Sequence, residues 1–149
     1  MAHVVRDPDY EARVRASFAR QKFMATLGAR LESVAPGEVI ITLSFRDDLV
    51  QQHGFMHAGA LTSVVDSACG YAALTLMEPG AAVLAVEFKV NLMAPASGTE
   101  FRAVGRVVRA GRTLTVCAGE FRSIGKERDT VVALMQGTMM AVRDKQLTD

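Results

Sequence analysis

The stretch that decides the fold is His57-Ala-Gly-Ala-Leu-Thr-Ser-Val-Val-Asp66-Ser-Ala-Cys-Gly-Tyr-Ala-Ala-Leu-Thr-Leu-Met77. Its apolar part is about as long as a membrane span of roughly 20 residues. Gly59, Asp66, Gly70 and several hydroxyls interrupt it, however, so it reads as a buried helix. Glu78-Pro79-Gly80 stops it, proline and glycine being unable to continue a helix. A helix that is apolar nearly all round must be covered nearly all round.

Working outward, the pattern on both sides changes to a period of two. After the helix, Val86, Phe88, Val90 and Leu92 alternate with Glu87, Lys89 and Asn91, and Ala94-Pro95-Ala96-Ser97-Gly98 is a loop. Residues 99–109, 112–122 and 129–142 read as further strands, with turns at Ala110-Gly111 and Ile124-Gly125-Lys126. Before the helix, Val39, Ile41, Leu43 and Phe45 alternate onto one face, and the stretch from Gly28 to Val34 supplies a hairpin partner across Ala35-Pro36-Gly37. Residues 9–24 mix charges with Val14, Phe18 and Phe23 and predict a surface helix, with Asp7-Pro8 at its start. The order is helix, two strands, long helix, four strands, an α+β pattern. It predicts one antiparallel sheet curled around the long helix. The four later strands are expected to form a meander, and a second copy of the chain to shield what the sheet leaves bare.

Composition bounds the function. The chain has 149 residues and a net charge of +1, which predicts one domain over 1–149 and gives no electrostatic footprint for nucleic acid. Cys69 and Cys117 lie in apolar surroundings without metal or redox spacing, and the N-terminus lacks a signal-peptide core, so a cytoplasmic protein is expected. No three ligands have metal spacing, and no metal is expected.

Asp66 is the charge that needs explaining. A carboxylate among Val64, Val65, Ala68 and Cys69 is costly to bury without a partner or a task. It accepts hydrogen bonds from Thr62 or Ser63 one turn earlier, or pairs across a subunit interface, or it is catalytic. At the helix start, His57-Ala58-Gly59 offers free N–H groups and the positive end of the helix dipole, which suit a developing oxyanion. The plain alternative is a helix start that needs small residues to pack.

Gln51-Gln-His-Gly54-Phe-Met-His57-Ala58-Gly59, with Asp66 nine residues after His57, resembles the hotdog-fold thioesterases of the phenylacetic-acid-degradation type, within the 4-hydroxybenzoyl-CoA thioesterase superfamily. The strand and turn from Val86 to Ala96 and the basic hairpin Val108-Arg-Ala-Gly-Arg112 resemble that family too. Gln51 stands where the family has Asn, Ala58 where it has the first Gly of a pair, and Ala85 where Ser or Thr is common.

The resemblance implies a hotdog core over about 28–143, preceded by a helical segment over about 1–26. It implies hydrolysis of acyl thioesters, with coenzyme A as part of the substrate and no other cofactor. The thioester carbonyl would dock on the N–H of Ala58 and that of Gly59, and Gln51 would orient carbonyl or water. Asp66 of a neighbouring subunit would act as base or nucleophile. Gly54, His57 and Ala85 would shape the substrate site. From the residues themselves, Arg109, Arg112, Lys126 and Arg128 at two turns either meet the carrier's phosphates at a subunit edge or are solvated hairpin tips. Phe55, Met56, Met77 and Met93 either line an acyl tunnel, methionine being adaptable in shape, or are plain core. A homodimer, commonly doubled to a tetramer, is implied. A hotdog dehydratase or hydratase, and a non-catalytic acyl-CoA-binding protein, are the alternatives.

Overall fold

A computed structural model of the chain describes residues 3–147 and 149. Helices α1 (Tyr10–Arg20) and α2 (Lys22–Leu27) come first, followed by strands β1 (Arg30–Ala35) and β2 (Glu38–Ser44). Helix α3 (Ala58–Leu74) precedes β3 (Ala82–Leu92), β4 (Glu100–Ala110), β5 (Leu114–Ser123) and β6 (Thr130–Val142). The six strands form one antiparallel sheet in the order β1-β2-β4-β5-β6-β3, curled around α3. This is the hotdog fold, with its helix inside and its sheet outside.

The inward side chains of β2, Val39, Ile41 and Leu43, are fully buried against α3, and Phe101 stacks on Phe121 at a centroid distance of 5.4 Å. Gly105 and Gly119 face each other across β4 and β5, under the helix. A Cβ on Gly105 would lie 2.3 Å from the Ala68 backbone, and one on Gly119 would lie 2.4 Å from a Val65 methyl. The pair makes the trough that lets the sheet approach the helix so closely. On the solvent face, Arg106–Glu38 at 2.6 Å and Arg102–Glu32 at 3.3 Å are cross-strand ion pairs.

The expected meander holds only for β4, β5 and β6. β3 does not pair with β4; it crosses to the far edge and pairs with β6 alone. The curled sheet has α3 inside it, so the chain leaves the helix onto one edge and then crosses through the loop at 94–98 into β4, beside β2. β3 also carries a bulge at Val86, which shifts the register between Ala85 and Glu87. Its alternation was expected to bury one face. Instead Leu84, Val86, Phe88, Leu92 and Met93 are 45–59% exposed, because the edge has no neighbour in this chain.

The N-terminal helix is two helices, with Gln21 extended between them at φ −78° and ψ 93°. It starts at Tyr10 rather than at Asp7-Pro8: Asp7 accepts a hydrogen bond from the N–H of Asp9, in a turn ahead of the helix. Arg13, expected on the surface, is half-buried. Its guanidinium donates to the carbonyls of Leu74, Met77 and Glu78 at 2.8–3.1 Å and pairs with Asp7 at 3.2 Å, capping the C-terminus of α3. No helix is long and apolar enough to cross a membrane among the described residues.

Candidate active site

The loop before α3 is built around Gly54, whose φ of +83° closes the turn in which its N–H donates to the Gln51 carbonyl at 3.0 Å. Met56 N–H reaches the Ala96 carbonyl at 3.2 Å, and His57 N–H the Leu49 carbonyl at 2.8 Å, so the helix start is pinned from both sides. His57 is the N-cap: its Nδ1 accepts from Gly59 N–H at 2.8 Å. That bond commits Gly59, which was expected as an oxyanion donor, to its own helix cap. Ala60 N–H turns back to the His57 carbonyl at 3.0 Å. Ala58 N–H alone in this first turn has no partner among the described residues.

Ala58 opens onto a cavity of about 410 Å³ shared with Gln51, Phe55, Met56, Leu92 and Met93. The side chains expected to accept an acyl chain are thus beside the free N–H, except Met77, which is buried in the core beyond the other end of the helix. Gln51 lies in this cavity, with its Oε1 accepting from the N–H of His53 in the same loop.

Asp66 sits two turns further on. Its Oδ1 is buried without a hydrogen-bond partner among the described residues, and burial raises its pKa above the usual carboxylate value. Neither expected local partner serves it: Ser63 donates to the Gly59 carbonyl at 2.7 Å, and no bond joins Thr62 to the carboxylate. Asp66 lines two cavities. One, of about 120 Å³, is mainly polar, with Gln21, Ser67, Tyr71, Asp149 and Ala85 in its wall. The other, of about 310 Å³, is flanked by Phe23, Met24 and Phe88. The first has the size and polarity to hold water, while the second has an aromatic rim.

Ala58 and Asp66 therefore do not meet in one chain. They are eight residues apart on one helix, about 12 Å along its axis at ~1.5 Å per residue. A base must come within hydrogen-bond reach of the reacting atoms, directly or through one water.

The basic residues do not form one cluster. Arg109 and Arg112 flank the β4–β5 turn, where Arg143 bonds the Arg112 carbonyl at 3.2 Å and approaches Glu78 at 3.4 Å, at the C-terminal end of α3. Lys126 and Arg128 lie on the β5–β6 turn at the other end of β5, beside Ser123, whose hydroxyl donates to the Ser97 carbonyl. Ten residues of β5 separate the two turns, roughly 33 Å at ~3.3 Å per residue. Cys69 and Cys117 are free, buried thiols whose pKa values burial raises, Cys117 to about 12. No group of His, Cys, Asp and Glu suited to hold a metal occurs among the described residues.

Sequence reading missed Gln21. Nothing in the polar N-terminal helix marks it, and only the break between α1 and α2 brings it over Asp66's neighbour Ser67.

The family model for the thioesterase superfamily matches residues 53–129, just over half of the chain, from the turn before α3 to the end of the β5–β6 turn. A thioesterase family protein from Silicibacter pomeroyi has a similar structure. It is 49% identical with a TM-score of 0.88, covering 91% of this chain and 99% of that one. Human acyl-coenzyme A thioesterase 13 is 29% identical over 103 residues, 68% of this chain and 73% of that protein. The PaaI protein of E. coli, from its phenylacetic acid degradation operon, is 21% identical with a TM-score of 0.80 over 90% of this chain and 94% of that one, a likeness of fold.

Proposed function

The chain belongs to the thioesterase superfamily, and on that premise we propose that it hydrolyses acyl-CoA thioesters at sites shared between two copies of itself. Thioester hydrolysis is the chemistry its family and relatives support. The observation that carries the finer reading is Asp66: a half-buried carboxylate with one oxygen unpartnered, between a water-sized polar cavity and an aromatic one. A protein that only bound acyl-CoA would gain nothing from that costly group.

The second copy comes from β3. This edge strand leaves Leu84, Val86, Phe88 and Leu92 exposed, and it runs from Asp66's cavities, where Phe88 lies, to Ala58's cavity, where Leu92 and Met93 lie. A two-fold axis across it would set the two β3 strands antiparallel. Each chain's Asp66 end would then stand against the other's Ala58 end. The same operation would bring Arg109 and Arg112 of one copy towards the Ala58 cavity of the other, where a carrier's phosphates would emerge.

In the reaction, the thioester oxygen accepts from Ala58 N–H, at the positive end of α3. Asp66 of the other copy takes a proton from water as the water oxygen bonds to the carbonyl carbon. Collapse of the tetrahedral intermediate expels the CoA thiolate, which takes that proton back. Gln51 orients the carbonyl from the same cavity wall, and His57 holds the helix start in place.

Thiol release from acyl-CoAs, from acetyl through phenylacetyl to long chains, tests this reading. Wild type should turn over at least one class, and Asp66→Asn should lower kcat by about a hundredfold, the usual scale for a positioned base. Near wild-type release by a folded Asp66→Asn protein would remove Asp66 from the chemistry.

A further inference from the structure

We infer that Gln21 is a positioning residue for the attacking water, an inference that rests on Asp66 acting as the base. Gln21 stands at the break between α1 and α2, and its backbone is fully engaged there: its N–H donates to the Phe18 carbonyl at 3.0 Å and its carbonyl accepts from Ala25 at 3.3 Å. The side chain is thereby aimed over α3. Ser67, next to Asp66, donates its hydroxyl to Gln21 Oε1 at 3.2 Å. With its oxygen accepting from Ser67, the amide leaves Nε2–H2 without a partner among the described residues.

Gln21 lines both of the cavities that Asp66 lines, the polar one and the aromatic one. The polar cavity, about 120 Å³, has room for several waters, each needing only ~10–15 Å³ of such volume. Its other polar groups are engaged: the Tyr71 hydroxyl is 3.3 Å from Ser17, and Asp149 accepts from Ser17 and from Val83 N–H. Gln21 Nε2 is thus a free neutral donor that can hold a water oxygen while Asp66 accepts one of the water's protons. Ala85, in the same wall, contributes no donor of its own.

The test uses full-length protein and steady-state thiol release. Gln21→Glu keeps a side chain of the same size and an acceptor for Ser67 but deletes the donor. It and Gln21→Ala should each lower kcat about tenfold, the scale of one hydrogen bond in the transition state, with KM within about twofold. Ala85→Ser, which places a hydroxyl in the same cavity, should recover most of the loss in the Gln21→Ala background. A purely structural Gln21 would not respond to that hydroxyl. Wild-type kcat in folded Gln21→Glu, or no recovery with Ala85→Ser, would overturn the inference. If Asp66→Asn is inactive while the Gln21 variants are not, only this inference fails. If Asp66→Asn is active, the reading beneath it fails first.

Discussion

Asp66 was legible because a lone charge in an apolar helix has few reasons to exist. Its burial has a consequence for pH. The folded chain binds the Asp66 proton more tightly than the unfolded chain does, since desolvation raises its pKa. The cost of burying the charge is therefore absent below the unfolded value of about 3.9 and grows as pH rises through the folded value. Asp66→Asn should raise the melting temperature at neutral pH, with the gain vanishing near about pH 3. Equal melting temperatures at both pH values would mean that the ionised carboxylate is already well partnered. Gly59 illustrates the opposite case. Its small size beside a helix start suggested a second oxyanion donor, but sequence does not reveal that the His57 ring turns back to take its N–H. Gln21 was invisible for a similar reason, since its importance comes from a backbone break that carries no glycine or proline.

Elements were read more reliably than their neighbours in space. Alternation with a period of two marked β2 and β3, turn residues bounded the other strands, and the apolar run marked α3, because these patterns are local to the chain. Pairing order is set by how the sheet closes over the helix, which no local pattern records, and so β3 was expected in the meander rather than at the edge. The trough under α3 was also hidden: Gly105 and Gly119 look like ordinary weak points in strands until they are seen opposite one another. Gly105→Ala should cost about 2 kcal/mol or more, because its Cβ would meet helix backbone rather than a side chain that can move. Thermal or urea unfolding checks this. A loss below about 0.5 kcal/mol would mean that α3 can lift from the sheet without penalty.

At the scale of the whole molecule, the proposed reaction divides one chain into two half-sites: the Ala58 N–H with an acyl-sized cavity, and a carboxylate unpartnered among the described residues with a water-sized one. They lie on one rigid helix and cannot approach each other. In the proposed dimer the exposed β3 edge, with Leu84, Val86, Phe88 and Leu92, would join them and supply both the missing shield and the missing partner. The direct measurement is complementation between two inactive proteins. Ala58→Pro removes the N–H at the first helical position, where proline fits, and the extended His57 before it is compatible with proline. Ala58→Pro and Asp66→Asn should each be nearly inactive alone. Unfolded and refolded together in equal amounts, they should form mixed dimers for half of the population, each with one intact site of two, giving about a quarter of wild-type activity. Activity no greater than that of the separate variants, in a sample shown to contain mixed dimers, would contradict a site shared between chains.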